Sequence, residues 1–304
     1  MRFVTYSSNG RQTVGVLDAQ DRVHEVSRLA GSAGSADTDL DLLGVIDTWD
    51  ELQTRLSDGV SDGASDGGVP VQELALLAPV PRPRRNIFCV GKNYREHARE
   101  FGTSGYDASS GPATDDHVPQ FPVVFTKAPT TVTGPDAAID PHSTVTKELD
   151  YEAELAVIIG RGGADIPASR ALDHVWGYTI VNDVTARDRQ RDHKQWFLGK
   201  SLDSFCPMGP YAVTADEIDE DALTVECRVN GELRQQASTA DLVFDIPTLI
   251  ETISAGLTLE PGDIIATGTP AGVGIGFDPP RFLRSGDLVE VSITGLGTLR
   301  NRVA

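Results

Sequence analysis

The run Asp150-Tyr-Glu-Ala-Glu-Leu-Ala-Val-Ile-Ile-Gly160 starts acidic, becomes continuously apolar and stops at a glycine. Read as a strand, it places Glu152, Glu154, Ala156 and Ile158 on one face, with the two carboxylates about 7 Å apart at Cα. Like charges this close repel each other and resist burial on a face that turns apolar. A divalent cation relieves both problems, and hard oxygen ligands favour magnesium, manganese or calcium. Taken alone, the segment also fits an exposed acidic strand of an acidic protein.

Downstream of this run, Val- and Ile-rich stretches alternate with Gly/Pro turns, and short helices are expected near 184–195 and 245–256. Regular βαβ spacing is missing, so the expected fold is α+β and mainly β, built on mixed sheet rather than doubly wound. Upstream, strand-like residues 3–6 and 13–17 flank Asn9-Gly10, a short hairpin signal. Residues 40–56 have an apolar rhythm near 3.6. Residues 57–68 hold three copies of Ser-Asp-Gly and read as a solvated linker; the glycine and aspartate interleaving of a calcium repeat is absent. Asn93 followed by Glu96 is a capping-box pattern for a helix from Tyr94. The Gly-, Ser- and Asp-rich residues 101–121 are long for a connection and suggest a functional lid or a mobile loop.

The chain has 304 residues and a 39% apolar fraction, which fits about two domains, or one with an appendage, and excludes wholesale disorder. Its 26 basic and 45 acidic side chains give a net charge of −19, the wrong sign for a nucleic-acid or anionic-membrane binder. No stretch approaches the roughly 18 apolar residues of a membrane span, and the start lacks an apolar signal core. Cys89, Cys206 and Cys227 are odd in number and without CxxC spacing, which argues against a disulfide framework and a zinc cage. A cytoplasmic protein is expected. The low lysine content suits high salt, although a skewed genome composition produces the same bias.

Three further segments carry candidate chemistry. In Trp176-Gly-Tyr-Thr-Ile-Val-Asn-Asp-Val-Thr-Ala-Arg-Asp-Arg-Gln190 a strand ends near Asn182-Asp183 and a helix follows. Asp183 can cap that helix or ligate a metal, with Arg187 and Gln190 on the same helical face offering an anion a guanidinium and an amide. Lys200 can add positive charge to a site that otherwise repels anions. His97 and Glu100, at i and i+3, can form a base with its orienting carboxylate or an ordinary surface pair. Thr267-Gly-Thr-Pro-Ala-Gly-Val-Gly-Ile-Gly276 lacks the Gly-Lys-Ser/Thr ending of a phosphate loop and the helix of a dinucleotide loop. Its backbone N–H groups and Thr269 hydroxyl are left free to approach a ligand. Lys127 is a candidate partner for a distal substrate carboxylate, or one half of a structural ion pair.

Taken together, the motifs Gly-Lys-Asn-Tyr-Arg-Glu-His-Ala-Arg-Glu, Asp-Tyr-Glu-Ala-Glu-Leu-Ala-Val, Asn-Asp-Val-Thr-Ala-Arg-Asp-Arg-Gln, Gly-Lys-Ser-Leu-Asp and Thr-Gly-Thr-Pro-Ala-Gly-Val-Gly occur in one order. This order resembles the fumarylacetoacetate hydrolase family over roughly residues 86–303. The resemblance implies a mixed β-sandwich roll, residues 79–304 as the catalytic domain and residues 1–78 as a small N-terminal α/β domain. It implies that Glu152, Glu154 and Asp183 bind Mg2+ or Mn2+, with Ca2+ able to substitute in a crystal. It places Arg187, Gln190, Lys200 and Thr269 around a keto acid, and makes His97 and Glu100 a water-activating dyad beside a closing lid. Homodimers are usual in the family. The implied function is C–C bond cleavage of a small 2-keto diacid through an enolate that the metal stabilises, by acylpyruvate hydrolysis or oxaloacetate decarboxylation. Isomerisation of 2-hydroxyhepta-2,4-diene-1,7-dioate is the alternative, as is a ketoacid-binding regulatory protein with vestigial activity, against which the intact dyad argues.

Overall fold

The structure, a computed structural model, describes residues 1–31, 40–61, 67–107 and 117–304. The N-terminal part contains β1 (Arg2–Ser8), β2 (Arg11–Leu17), β3 (Arg22–Glu25), α1 (Val26–Leu29), α2 (Leu42–Asp47), α3 (Trp49–Ser61), β4 (Val69–Pro70) and β5 (Ala75–Leu77). There follow β6 (Ile87–Gly91), α4 (Arg95–Thr103), β7 (Val123–Lys127), β8 (Val132–Thr133), β9 (Leu149–Asp150), β10 (Ala153–Ile159), β11 (Val175–Asn182) and β12 (Thr185–Ala186). Next come α5 (Arg187–His193), α6 (Phe197–Lys200), β13 (Cys206–Pro207), β14 (Ala212–Thr214), β15 (Thr224–Val229), β16 (Glu232–Ser238) and α7 (Ile246–Ser254). The chain ends with β17 (Ile264–Ala266), β18 (Leu288–Ile293) and β19 (Gly297–Arg302).

Eleven strands form one sheet in the order β4-β3-β2-β1-β14-β11-β10-β17-β6-β7, with β5 also paired to β1. The sheet is mixed, because β17 runs parallel to β6 while β10 pairs antiparallel with both β11 and β17. A second, four-stranded sheet has the order β16-β15-β18-β19. The architecture is α+β and mainly β, as the spacing of the apolar runs predicts.

Strand β10 is buried along its whole length because it lies inside the large sheet with material on both faces. Its odd positions Leu155, Val157 and Ile159 join Tyr178 and Ile180 in a core shared with Val225, Val291 and Leu299 of the second sheet. Its even positions Ala156 and Ile158 face the opposite way, into a core with Phe3, Leu42, Ile46 and Leu56 from the N-terminal segment. Each such aliphatic side chain contributes about 1.5–3 kcal/mol when fully withdrawn from water.

The N-terminal strands extend the same sheet, since Arg2 and Phe3 of β1 pair with Val213 and Ala212 of β14. Asn9 and Gly10, at φ of 51° and 76°, form the tight turn of the β1–β2 hairpin, the conformation that their short or absent side chains permit. Helix α3 is amphipathic and buries Leu52 and Leu56, while Trp49 packs edge-on against Phe3 and Trp176. This helix corrects the expected linker boundary: it continues through Ser61, so residues 57–61 are helical. Residues 62–66 of that expected linker, and residues 108–116 of the expected lid, lie outside the described residues.

The capping pattern at the start of α4 is also corrected. Tyr94 occupies the N-cap position without a side-chain bond. Asn93 instead accepts from Phe244 N–H at 2.8 Å and donates to the carbonyls of Phe244 and Thr267, at 3.0 and 2.7 Å. It ties the entry to α4 to the end of β17, a role that long-range contacts set and local spacing does not reveal.

Candidate active site

The centre forms where β10 and β11 begin and end. Ala153 pairs with Asn182 in this antiparallel ladder, and one step further Asp183 N–H donates to Glu152 O at 2.8 Å. Asn182 also accepts from Glu152 N–H at 3.0 Å. The register thereby sets Asp183 beside Glu152, and the strand period sets Glu154 on the same face. One carboxylate oxygen from each of Glu152, Glu154 and Asp183 lies within 4.8 Å of the others, and all three residues are buried. The exposed acidic strand is excluded.

Three cations converge on this centre. Lys200 Nζ lies 2.7 Å from both Glu152 Oε2 and Asp183 Oδ2. Lys127 Nζ donates to Asp183 Oδ1 at 2.6 Å and to Val184 O at 3.1 Å. Arg187 Nε donates to Asp150 Oδ2 at 2.9 Å, and its Nη2 stands 2.7 Å from Glu152 Oε1 without hydrogen-bond alignment. Lys127 is fully buried, so it forms a structural ion pair and is not placed to meet a distal substrate carboxylate. The helix-cap reading of Asp183 is likewise corrected, because α5 starts only at Arg187 with Ala186 at its N-cap.

Four carboxylates (Asp150, Glu152, Glu154 and Asp183) thus share three side-chain cations. The deficit falls on Glu154, which accepts a 2.9 Å bond from Gly268 N–H and, among the described residues, pairs with no side-chain cation. Burial pushes its pKa well above the ordinary carboxylate value, and Asp183 and Glu152 push it further. Burial acts on Glu152 in the same direction, but Lys200 and Arg187 overcome it and hold that carboxylate below its usual range. A divalent cation fits this donor set, which is all oxygen, preassembled and short of positive charge.

Around the centre, His97, Lys92, Glu152, Arg187, Gln190 and Lys200 line one narrow cleft. His97 is buried, and its Nδ1 lies 3.1 Å from Glu100 Oε2. A carboxylate there requires the proton on Nδ1, which leaves Nε2 as the basic atom. Glu100 also accepts from Gly272 N–H, at 3.0 Å through Oε1 and 3.3 Å through Oε2. Gln190 Oε1 accepts from Arg187 Nη1 at 3.1 Å, leaving its amide N–H groups to donate elsewhere. Thr269 accepts from Gln235 Nε2 at 2.8 Å and stands in the loop next to the Gly268 N–H that meets Glu154.

Several participants were not singled out by sequence reasoning. Asp150 joins Arg187 to the glycine-rich loop, accepting from Gly274 N–H at 2.6 Å and from Ile275 N–H at 3.2 Å. Its position at the head of the decisive run was the available signal. Gln235 fixes Thr269, and Lys92 pairs with Asp107 at 2.6 Å. Gln235 carries no local motif, whereas Lys92 stands in the Gly-Lys-Asn-Tyr-Arg-Glu-His motif without a role of its own legible there.

A buried three-carboxylate centre at the end of a mixed sheet, with an adjoining His–Glu pair, defines the class. The chain matches the model of the fumarylacetoacetate (FAA) hydrolase C-terminal family over residues 86–304. It belongs to that family. Its similarity to the oxaloacetate tautomerase YisK of Bacillus subtilis (strain 168) is 55% identity over 234 residues, covering 77% of this chain and 74% of the relative. The structure of a fumarylacetoacetate hydrolase from the psychrophile Exiguobacterium antarcticum superposes with a TM-score of 0.82 at 44% identity, covering 100% of this chain and 99% of that one. The maleylpyruvate hydrolase of Sphingobium sp. SYK-6, solved in complex with manganese(II) and pyruvate, gives a TM-score of 0.77 at 30% identity, with 100% and 99% coverage. No helix among the described residues is long and apolar enough to cross a membrane.

Proposed function

We propose that this protein is a metal-dependent enzyme of small 2-keto diacids, and that its first reaction is keto–enol interconversion of oxaloacetate. The observation that carries this reading is the charge-deficient carboxylate triad, whose Glu152 lines the same cleft as His97. The tautomerase named for the relative at 55% identity favours oxaloacetate over the other family substrates. In this reading Glu152, Glu154 and Asp183 hold Mg2+ or Mn2+. A divalent cation bound there supplies Lewis-acid stabilisation of negative charge on a keto oxygen.

The protein's own residues account for the rest. Lys127, Lys200 and Arg187 offset the carboxylates, so an anionic substrate can enter an otherwise repelling site. Gln190 and Thr269 offer N–H and O–H donors to the substrate's carboxylate and keto group. His97 Nε2 accepts the proton from C3 of the keto form as the C2–C3 double bond forms, and the C2 oxygen takes up a proton from the imidazolium or from water to give the enol; the reverse direction runs through the same transfers. Glu100 holds the ring in the required tautomer. The same base can activate water or assist loss of carbon dioxide, so C–C cleavage is the second reading, favoured by the His97–Glu100 contact.

The deciding experiment follows the ultraviolet absorbance of the oxaloacetate enol with Mg2+ or Mn2+, and measures pyruvate release separately. Metal-only decay is subtracted from both. Enol conversion faster than pyruvate release supports tautomerisation. Equal rates make the protein a decarboxylase. Pyruvate release from an acylpyruvate alone makes it a hydrolase, and inactivity on every substrate removes the enzyme reading in favour of ketoacid binding.

A further inference from the structure

We propose that Gly276 is a positioning residue for the His97–Glu100 pair: by carrying no side chain, it leaves the seat in which the Glu100 carboxylate faces His97. The inference rests on the enzymatic reading above and assigns part of its base machinery to the loop at 267–276.

The four glycines of that loop are required for different reasons. Gly268 and Gly272 have φ of +107° and +103°, where L side chains are strained. A Cβ on Gly272 would also meet Arg234 O at 1.9 Å, and one on Gly274 would meet Arg281 O and Asp150 Oδ1, each at 2.6 Å. Gly276 has neither cause. It lies outside the left-handed region, and the three atoms nearest to an added Cβ all belong to the Glu100 side chain: Oε1 at 1.7 Å, Cδ at 2.2 Å and Cγ at 2.6 Å.

Glu100 has little freedom to give way and stay useful. Its carboxylate lies between His97 Nδ1 at 3.1 Å and Gly272 N–H at 3.0 Å, with its side chain 15% exposed. The segment Gly274–Gly276 packs against α4, so the loop and the helix meet through this carboxylate. A methyl group at 276 would move the flexible end of one side chain without disturbing the backbone. The fold would persist and the base would lose its orientation. The loop that supplies Thr269 and the Gly268 N–H to Glu154 would then also set the tautomer of His97.

The test uses Mg2+-loaded protein and four forms: wild type, Gly276→Ala, Glu100→Asp and the double variant. The first readout is the downfield imidazole N–H proton resonance, assigned to His97 by its loss in His97→Gln. The second is oxaloacetate enol conversion, and the third is Mg2+ affinity by calorimetry. Gly276→Ala is expected to lose the resonance and about 10–100-fold in turnover, with Mg2+ affinity kept within about threefold of wild type, because no ligand is touched. In the double variant the shorter carboxylate fits beside the methyl group. The resonance returns, and turnover exceeds that of Gly276→Ala even though Glu100→Asp alone is slower than wild type, the non-additivity expected of residues in contact.

Persistence of the resonance in Gly276→Ala would overturn the proposal, as would a double variant no better than Gly276→Ala. If Gly276→Ala alone does not fold, the double variant must fold, and failure of both also rejects it. If wild type is inactive on oxaloacetate, the proposed function fails while the resonance still decides the positioning role.

Discussion

Glu154 carries the least compensated charge of the centre, and its behaviour tests the metal assignment directly. Its raised pKa means that its contribution to metal-free stability is fully present below its ordinary value of 4.5 and is lost as pH rises through the elevated native value. Above that ordinary value the metal-free protein is therefore destabilised by the burial of Glu154. Glu154→Gln is expected to raise the melting temperature of metal-free protein, by on the order of 1 kcal/mol in stability, and to abolish the upward shift that Mn2+ gives wild type. Differential scanning calorimetry with and without Mn2+ reads both effects. A Mn2+ shift that survives intact would show that Glu154 is not a ligand. Glu152→Ala should remove Mn2+ binding and turnover together, measured by titration calorimetry and the enol assay. His97→Gln should retain metal binding and lower turnover by about 10²–10⁴-fold; equal turnover would reject it as the base. At this scale the sequence was highly informative. The alternation of β10 shows Glu152 and Glu154 on one face, and the i, i+3 spacing shows that His97 can meet Glu100. It could not show that Lys127 is spent on Asp183, because those residues are 56 positions apart and only the tertiary fold joins them.

Among the elements, α3 and β10 show how far local pattern reaches. The apolar rhythm of residues 40–56 foretells helix, and the structure divides it between α2 and α3. The Ser-Asp-Gly repeats read as linker from residue 57, yet packing carries α3 through Ser61. Leu56 is completely buried beneath that helix. Leu56→Ala should cost about 2–5 kcal/mol in urea unfolding while leaving turnover of the folded fraction unchanged, since α3 contributes no residue to the cleft. A loss of turnover without a loss of stability would place α3 in the chemistry. The Asn93–Glu96 spacing misleads in a different way. An amide that can cap a helix can equally bind distant backbone, and here the carbonyls of Phe244 and Thr267 win.

For the whole molecule, the large sheet ends at β7 among the described residues, with α6 packed beside it. Phe121, Val124, Phe197 and Leu198 are all exposed in this region, Phe121 by 67%. We propose that this edge is covered in a homodimer, since strand edges with apolar flanks favour pairing. Light scattering after gel filtration should give a dimer mass, and Val124→Lys should shift it toward monomer; a monomeric wild type would end that reading. The proposed division of the chain at residues 78 and 79 does not interrupt the large sheet, because β1 hydrogen-bonds directly to β14 across it.

By itself the amino-acid sequence determined the α+β class, the carboxylate-bearing face of β10, the unfavourable sign of the overall field and the order of the five motifs. These follow from side-chain period, composition and short spacings, all local properties of the chain. The tertiary structure alone decided which cations meet which carboxylates, and that Glu154 is left without one. It also decided that Asp150 joins Arg187 to the glycine-rich loop and that Gly276 makes room for Glu100. Those contacts depend on strand order and register between segments far apart in the chain, where neither propensity nor spacing carries any information.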